Sequence, residues 1–339
     1  MFHLKHSDIF TLQIEFTSYC NASCGSCDRN IDGGKINPRL KLKHFPVRAW
    51  HSLCKSNLST VKEIVFNGSV GDFQMHPSAL EMINYLAETN PHLYVVIHTN
   101  GSARNKEWWY SLGKTLQKFK AHDLIFSIDG LEDTNHIYRR GVNWHKVIEN
   151  ATSFIESGAN AVWRTIVFDY NLHQIEEISN TAKKLGFVGF QVNRSCVKEI
   201  DMVEYKSYTA TKIKGIDFQT VKELQKFNYK TVSVDIGDQP TFKTVCPWMK
   251  RGEIQISETG HVWPCCYSLK SMTYENEQYN DLKEFIHAPD LYGQNFNSLN
   301  SFTLQEILEH TFFKDILPKK IINNEIGECN KCSESDFFE

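Results

Sequence analysis

Between residues 10 and 192, short runs of branched and aromatic residues alternate with amphipathic stretches, and no other feature limits the fold as tightly. Phe10–Phe16, Glu63–Phe66, Leu93–His98, Leu124–Ile128, Ala161–Phe168 and Val188–Val192 have the length and composition of strands. Between them, Pro46–Ser56, Pro77–Thr89, Lys106–Phe119, Trp144–Ser157 and Leu172–Leu185 read as helices. In the last of these Ile175, Ile178, Ala182 and Leu185 share one face, and Gly186 follows as a stop. Strands separated by helices pair in parallel, because a crossover is needed to return the chain to the same end of the sheet. Ligands of such sheets sit at the carboxyl ends of the strands. The loops that follow each strand are therefore where chemistry is expected.

The first of those loops is Cys20-Asn21-Ala22-Ser23-Cys24-Gly25-Ser26-Cys27, with three thiols in eight residues. Three thiols cannot all pair as disulfides, and bound thiolates are soft metal ligands. Ordering a loop costs roughly 1–2 kcal/mol per residue, whereas a structural metal returns about 10–16 kcal/mol. A structural zinc ion wants a fourth ligand, and no Cys or His follows until His44. An iron–sulfur cluster held by three cysteines instead leaves one iron with an open position. Both readings stay open at this point, as does a loop of reduced thiols; Cys54 reads as a small buried hydrophobe.

Composition excludes several classes. With 37 Lys+Arg against 40 Asp+Glu, the 339-residue chain is no polycation for a nucleic-acid backbone. Its length suits about two domains. The first residues lack the apolar core of a signal peptide, and no run approaches the ~20 apolar residues of a membrane span. Ten cysteines are too few for a disulfide scaffold of this size and read as intracellular ligands, so a cytoplasmic protein is expected.

The C-x3-C-x2-C triplet after a first strand resembles that of the radical S-adenosylmethionine (radical SAM) superfamily. The resemblance implies a partial (β/α)6 barrel over residues 1–200, with Cys20, Cys24 and Cys27 holding a [4Fe–4S] cluster whose open iron is chelated by SAM. It extends to the strand ends. Asn67-Gly68-Ser69-Val70-Gly71-Asp72 looks like the family's G-G-x-x-E-type motif, which places Gly71 and Asp72 at the SAM amine. Thr99-Asn100-Gly101 resembles T-N-G. Ser127-Ile128-Asp129-Gly130 with Arg139-Arg140-Gly141 is similar to the S-x-D-G…R-G signature of the auxiliary-cluster branch, making Ser127 and Arg140, or Arg139 in its place, candidates for the SAM carboxylate. Asn171 matches an asparagine that contacts the ribose, although it also suits a helix cap. The family usually has a large or aromatic residue before the third cysteine, where this chain has Ser26. At the end of the sixth strand, Arg194 is a candidate to touch substrate, and Cys196 reads as a plain thiol or, alternatively, a hydrogen donor.

A second cysteine set follows a bridging segment, residues 201–240, with one helical run (Phe218–Phe227) and a strand-like Thr231–Val234. Cys246 precedes a hairpin whose strands, Glu253–Ser257 and His261–Pro264, flank a turn at Thr259-Gly260 and lead into Cys265 and Cys266. Cys329 and Cys332 form a C-x2-C knuckle. Such thiols suit a tetrahedral S4 site, and zinc fits them when they are read alone. Following a radical SAM barrel, they resemble a small α+β twitch domain, the short form of SPASM, over residues 241–339. That implies a second, auxiliary [4Fe–4S] cluster on Cys246, Cys265, Cys329 and Cys332, with Cys266 an alternative to Cys265. Thr303 and Glu306 fit a capping box for a helix ahead of the knuckle, and the Asn- and aromatic-rich Ser271–Asn300 reads as a packed surface excursion. The resemblance further implies a flavodoxin- or ferredoxin-like electron donor and a small-molecule or peptide substrate.

Overall fold

The computed structural model describes residues 5–31, 34–194, 246–266, 268–269, 285, 287–326 and 329. In chain order the first part comprises β1 (Thr11–Ile14), a small hairpin of β2 (Asn30–Ile31) and β3 (Lys35–Ile36), α1 (Val47–Lys55), β4 (Glu63–Phe66), α2 (Ala79–Thr89) and β5 (Tyr94–Thr99). It continues through α3 (Lys106–Leu116), β6 (Ala121–Ser127), α4 (Asn135–Tyr138), α5 (Trp144–Glu156), β7 (Ala161–Val167), α6 (Ile175–Lys184) and β8 (Gly189–Arg194). After residue 245 come α7 (Pro247–Lys250), β9 (Glu253–Ile256), β10 (Val262–Trp263), α8 (Ala288–Tyr292), α9 (Leu304–Glu309) and α10 (Leu317–Ile322). The expected helix at Phe218–Phe227 and strand at Thr231–Val234 lie outside the described residues, as do Cys196, Cys332 and the side chain of Arg194.

The large sheet has the order β10-β9-β1-β4-β5-β6-β7-β8. From β9 to β8 every neighbouring pair is parallel, with only the outermost β10 antiparallel to β9. The six alternating strands and their helices thus form the expected partial (β/α)6 architecture. Each strand alternates between two faces. Leu12, Ile14, Ile64, Phe66, Val95, Ile97 and Trp163 face the helices and join one core with Trp50, Leu86, Trp109 and Phe154. The opposite face holds a small apolar floor of Tyr94, Val96, Ile125 and Val162. Val65, Ala121 and Val188 pack against it, and polar side chains on the same face bridge neighbouring strands. Asn67 Nδ2 donates to Gln13 Oε1 at 2.5 Å, Gln13 Nε2 to Glu253 Oε2 at 3.1 Å, and Arg164 Nε to Gln191 Oε1 at 2.8 Å. The lumen thus offers polar groups beside an apolar floor.

Local signals place the helices. Asn105 and Asn143 cap α3 and α5 by accepting from the N–H groups of Trp108 and Lys146, each at 3.0 Å. Gly186, at φ +89°, ends α6 in a Schellman arrangement, with its own N–H bonded to Lys183 O and that of Phe187 to Ala182 O. Thr303 and Glu306 form the expected capping box of α9. Of the aromatic-rich excursion, Phe285 and Phe296 are buried and pack edge-on against Phe312 and Trp263.

The C-terminal hairpin sits where the sequence gives no local hint. β9 runs parallel along β1, pairing Thr11 with Glu253 and Ile14 with Ile256, and so extends the barrel sheet at its first edge. Gly252 starts this junction: its carbonyl accepts from the N–H groups of both Phe10 (2.9 Å) and Thr11 (3.2 Å). It adopts φ +61°, and a Cβ there would lie 2.2 Å from Asp8 O. Left-handed backbone costs a non-glycine residue about 1–3 kcal/mol before any clash. Gly252→Ala should therefore lower stability by more than about 2 kcal/mol, read as a fall in the denaturant midpoint. A midpoint matching wild type would show that the hairpin does not depend on this junction.

Candidate functional site

The thiols lie on the loop leaving β1, and two neighbouring strand-end loops fasten that loop in place. The loop after β4 approaches so closely that a Cβ on Gly71 would lie 2.0 Å from Thr17 O and 2.8 Å from Tyr19 O. Only glycine fits such an approach. The Asp72 N–H donates to Tyr19 O at 2.8 Å, and the N–H groups of Ser69 and Val70 donate to the Glu15 carboxylate at 3.1 and 3.3 Å. Arg29, just past the last thiol, is buried and clasps the two loops, with Nε on Val70 O (3.1 Å) and Nη2 on Ser18 O (3.0 Å).

Asp72 carries the contact onward to the loop after β5. Its carboxylate accepts from Thr99 Oγ1 at 2.8 Å, the Asn100 N–H at 2.7 Å and the Gln74 N–H at 3.3 Å. Burial pushes this carboxyl up, and those donors pull it back. Asn100 in turn aims Nδ2 at Cys20 Sγ (3.7 Å) and Asn21 Oδ1 (3.0 Å). Asp72, Thr99 and Asn100, singled out separately in the sequence, are thus one hydrogen-bonded chain ending on the first thiol.

The other side of the loop is held from β6 and β7. Asp129 is fully buried, accepting from Arg139 Nε at 2.6 Å and from the Ile166 N–H at 2.7 Å. Burial pushes the Asp129 carboxyl up and the Arg139 guanidinium opposes it. Arg139 Nη1 lies 4.0 Å from Cys24 Sγ. Arg140 meets the loop differently: its carbonyl accepts from the Ser23 N–H at 2.9 Å, and its Nη1 would lie 3.1 Å from a Cβ on Gly34. The Arg139 guanidinium is thus directed at the second thiol. Ser127 ends β6, in register with Arg164. The Asn171 amide is taken up by backbone, donating to Asp129 O (2.8 Å) and Ile166 O (2.9 Å) and accepting from the Phe168 N–H (2.8 Å).

Beside Ser26, where the resemblance leads one to expect an aromatic residue, stands Tyr138 of α4. Ser26 Oγ lies 3.4 Å from its hydroxyl, the Arg139 guanidinium lies 5.3 Å from its ring centroid, and Phe168 packs on it at 4.8 Å. Tyr170 stacks on Phe168 in turn, at 5.2 Å. An aromatic wall from a distant stretch of chain therefore stands beside Ser26. Arg29 and Tyr138 are the site residues that sequence reasoning missed. Tyr138 is one residue ahead of the flagged arginines, and Arg29 two residues past Cys27, so proximity in sequence was the only available signal.

Burial pushes the Cys20 thiol up to about 12, with the Asp72 charge adding to it, and the Cys27 thiol up to about 11, with Cys24 adding to it. Burial raises Cys24 as well, opposed by Arg139. The metal-free site therefore holds neutral thiols, and metal binding must displace protons. Among the described residues, no three His, Cys, Asp or Glu side chains converge closely enough to chelate a single ion. A cluster makes no such demand, since each of its thiolates binds a different iron. Of the second cysteine set, Cys246, Cys265, Cys266 and Cys329 are partly buried, and Cys246 and Cys329 pack against the main core. The Cys265 N–H donates to Ser268 Oγ at 3.2 Å.

No family model matches the chain, and no curated protein matches it in sequence. Solved structures do. SuiB of Streptococcus suis bound to S-adenosylmethionine superposes with a TM-score of 0.54 at 18% identity, over 78% of this chain and 61% of SuiB. SuiB bound to the precursor peptide SuiA gives 0.53 at 17% identity, over 89% and 71%. The anSMEcpe structure with bound AdoMet and Cp18Cys peptide gives 0.56 at 14% identity, over 97% and 86%. Both proteins are radical SAM enzymes, and this chain has the radical SAM fold. It spans 61% of the length of SuiB in the SAM-bound structure.

Buried thiols make a testable statement about the metal-free protein. Alkylation of Cys20 should accelerate about tenfold per pH unit from 8 to beyond 10, because thiolate remains scarce below a pKa near 12. Gly71→Ala, which forces the loops apart, should raise the rate at pH 8 at least tenfold. A wild-type rate that levels off near pH 9 would contradict the burial of this thiol.

Proposed function

We propose that the chain is a radical SAM enzyme that reductively cleaves S-adenosylmethionine and uses the product to remove a hydrogen atom from a substrate. One observation carries this reading: on a radical SAM fold, the three-thiol loop is braced so that Asn100 and Arg139 aim N–H groups at Cys20 and Cys24. Donors directed at sulfur suit an anionic cluster, whose potential is set by such contacts. The donor set fits a [4Fe–4S] cluster on Cys20, Cys24 and Cys27. When bound, cluster and SAM supply an electron and a 5′-deoxyadenosyl radical able to abstract hydrogen from carbon.

The chain's own residues prepare that chemistry. Asp72, Thr99 and Asn100 fix the first thiol against the β5 loop, while Asp129 orients Arg139 toward the second. Gly71 and Asp72 border the place where the SAM amine is expected, and Ser127 with Arg139 or Arg140 the place for its carboxylate. The wall of Tyr138, Phe168 and Tyr170 keeps water from one side of the loop.

The second cysteine set holds an auxiliary [4Fe–4S] cluster on Cys246, Cys265, Cys329 and Cys332, closed by four ligands and suited to electron transfer. Oxidation of a small polar molecule agrees best with the polar lumen. Peptide modification is the second reading, supported by the peptides bound in the SuiB and anSMEcpe structures. A flavodoxin- or ferredoxin-like protein delivers the electron, and free thiols favour the cytoplasm. Among the described residues, no helix is long and apolar enough to cross a membrane.

Anaerobic incubation with SAM and dithionite should yield 5′-deoxyadenosine from the reconstituted wild type and none from Cys24→Ala. Equal turnover in both would refute the assignment, and zinc without iron or sulfide in anaerobically purified protein would replace the cluster with a zinc site.

A further inference from the structure

Arg164 points from the middle of β7 into the polar lumen, and its surroundings do not balance its charge. Its Nε donates to Gln191 Oε1 at 2.8 Å and its Nη1 to His98 Nδ1 at 2.9 Å. Gln191 is neutral. His98 accepts through Nδ1 and is held down at about 3 by burial and by Arg164 itself, so it too stays neutral. Burial lowers the guanidinium to about 10, and the other charge that acts on it is Arg139, also positive. No carboxylate among the described residues pairs with Arg164. A desolvated cation without a counter-charge is costly, and sites of this kind are retained where a ligand supplies the missing charge.

The guanidinium keeps donors for such a ligand. Nε and one hydrogen of Nη1 are used by Gln191 and His98, while the edge formed with Nη2 keeps donors in the fork arrangement that matches a carboxylate. Both neutral partners also fix the plane of the guanidinium, so little side-chain freedom remains to be lost on binding. Arg164 is in register with Ser127, the last residue of β6, and thus lies near the strand-end layer that carries the thiol loop. Arg164, His98 and Gln191 are each partly accessible. A guest held at Arg164 would therefore sit on the inner face of the sheet, beside the strand-end layer where SAM is expected.

We propose that Arg164, oriented by His98 and Gln191, binds a carboxylate of the substrate, so that the enzyme acts on a carboxylate-bearing molecule. The proposal rests on the radical SAM reading above. Formate serves as the probe, titrated into cluster-reconstituted protein at constant ionic strength against chloride, with and without saturating SAM. Wild type should show a saturable rise in unfolding temperature of about 2–4 °C over the chloride control. Arg164→Gln should show none, and without formate it should be at least as stable as wild type, since it removes an unbalanced charge. Arg164→Lys, which keeps the charge and loses the fork, should bind formate at least tenfold more weakly, and it stands in should the glutamine variant not fold.

The formate response should persist with SAM bound. Loss of the response on adding SAM would assign the pocket to the carboxylate of SAM and overturn the proposal. So would an absent response in wild type, or an equal one in Arg164→Gln. Release of 5′-deoxyadenosine by the same preparation is read separately, so failure of the enzyme reading and failure of the carboxylate site are told apart.

Discussion

The buried carboxylate of Asp72 is the contact on which the site depends. Placed away from water, it is tolerated because Thr99, Asn100 and the backbone of Gln74 all donate to it. Through those bonds the loops leaving β4 and β5 become one body, and Asn100 passes the constraint to Cys20. Gly71 and Arg29 hold the thiol loop against the same body. Without them the three thiols would sit on a long loop free to sample many arrangements. With them, the geometry is set before any metal arrives.

Much of the barrel is legible in the sequence, because its signals are local. Period-two runs, helical spacing and caps such as Asn105, Asn143 and Gly186 each act within a few residues. The strand-end motifs are legible for a related reason: a ligand site at one end of a parallel sheet is assembled from short stretches that always follow a strand. What stayed hidden depends on distance or on a single backbone angle. How Arg139 and Arg140 each meet the thiol loop, one through its guanidinium and the other through its carbonyl, follows from the turn after α4, where Arg139 takes φ −81° and ψ +62°. No propensity distinguishes two adjacent arginines there. Likewise Asn171 reads as a cap or a ligand contact, while its amide in the structure is bonded to three backbone groups.

Tyr138 illustrates how a local departure is met from elsewhere. Ser26 is small, and its hydroxyl meets that of Tyr138 in α4, an aromatic side chain more than a hundred positions along the chain. A motif read residue by residue registers a missing side chain, whereas packing registers only an occupied volume. The unbalanced charge of Arg164 is invisible to sequence for the same reason, since nothing in its neighbours along β7 reveals that two neutral side chains hold it.

The pairing of β9 with β1 has a bearing on how such a protein is assembled. A parallel strand left unpaired offers a ladder of bare N–H and C=O groups to any passing chain. Here the segment that closes that exposed margin also leads directly to Cys265 and Cys266. The cysteine-bearing C-terminal hairpin is thus a seam of the barrel rather than an appendage to it. A protein cut before this hairpin would lose its border as well as its second set of thiols, and self-association would be the first symptom of the cut.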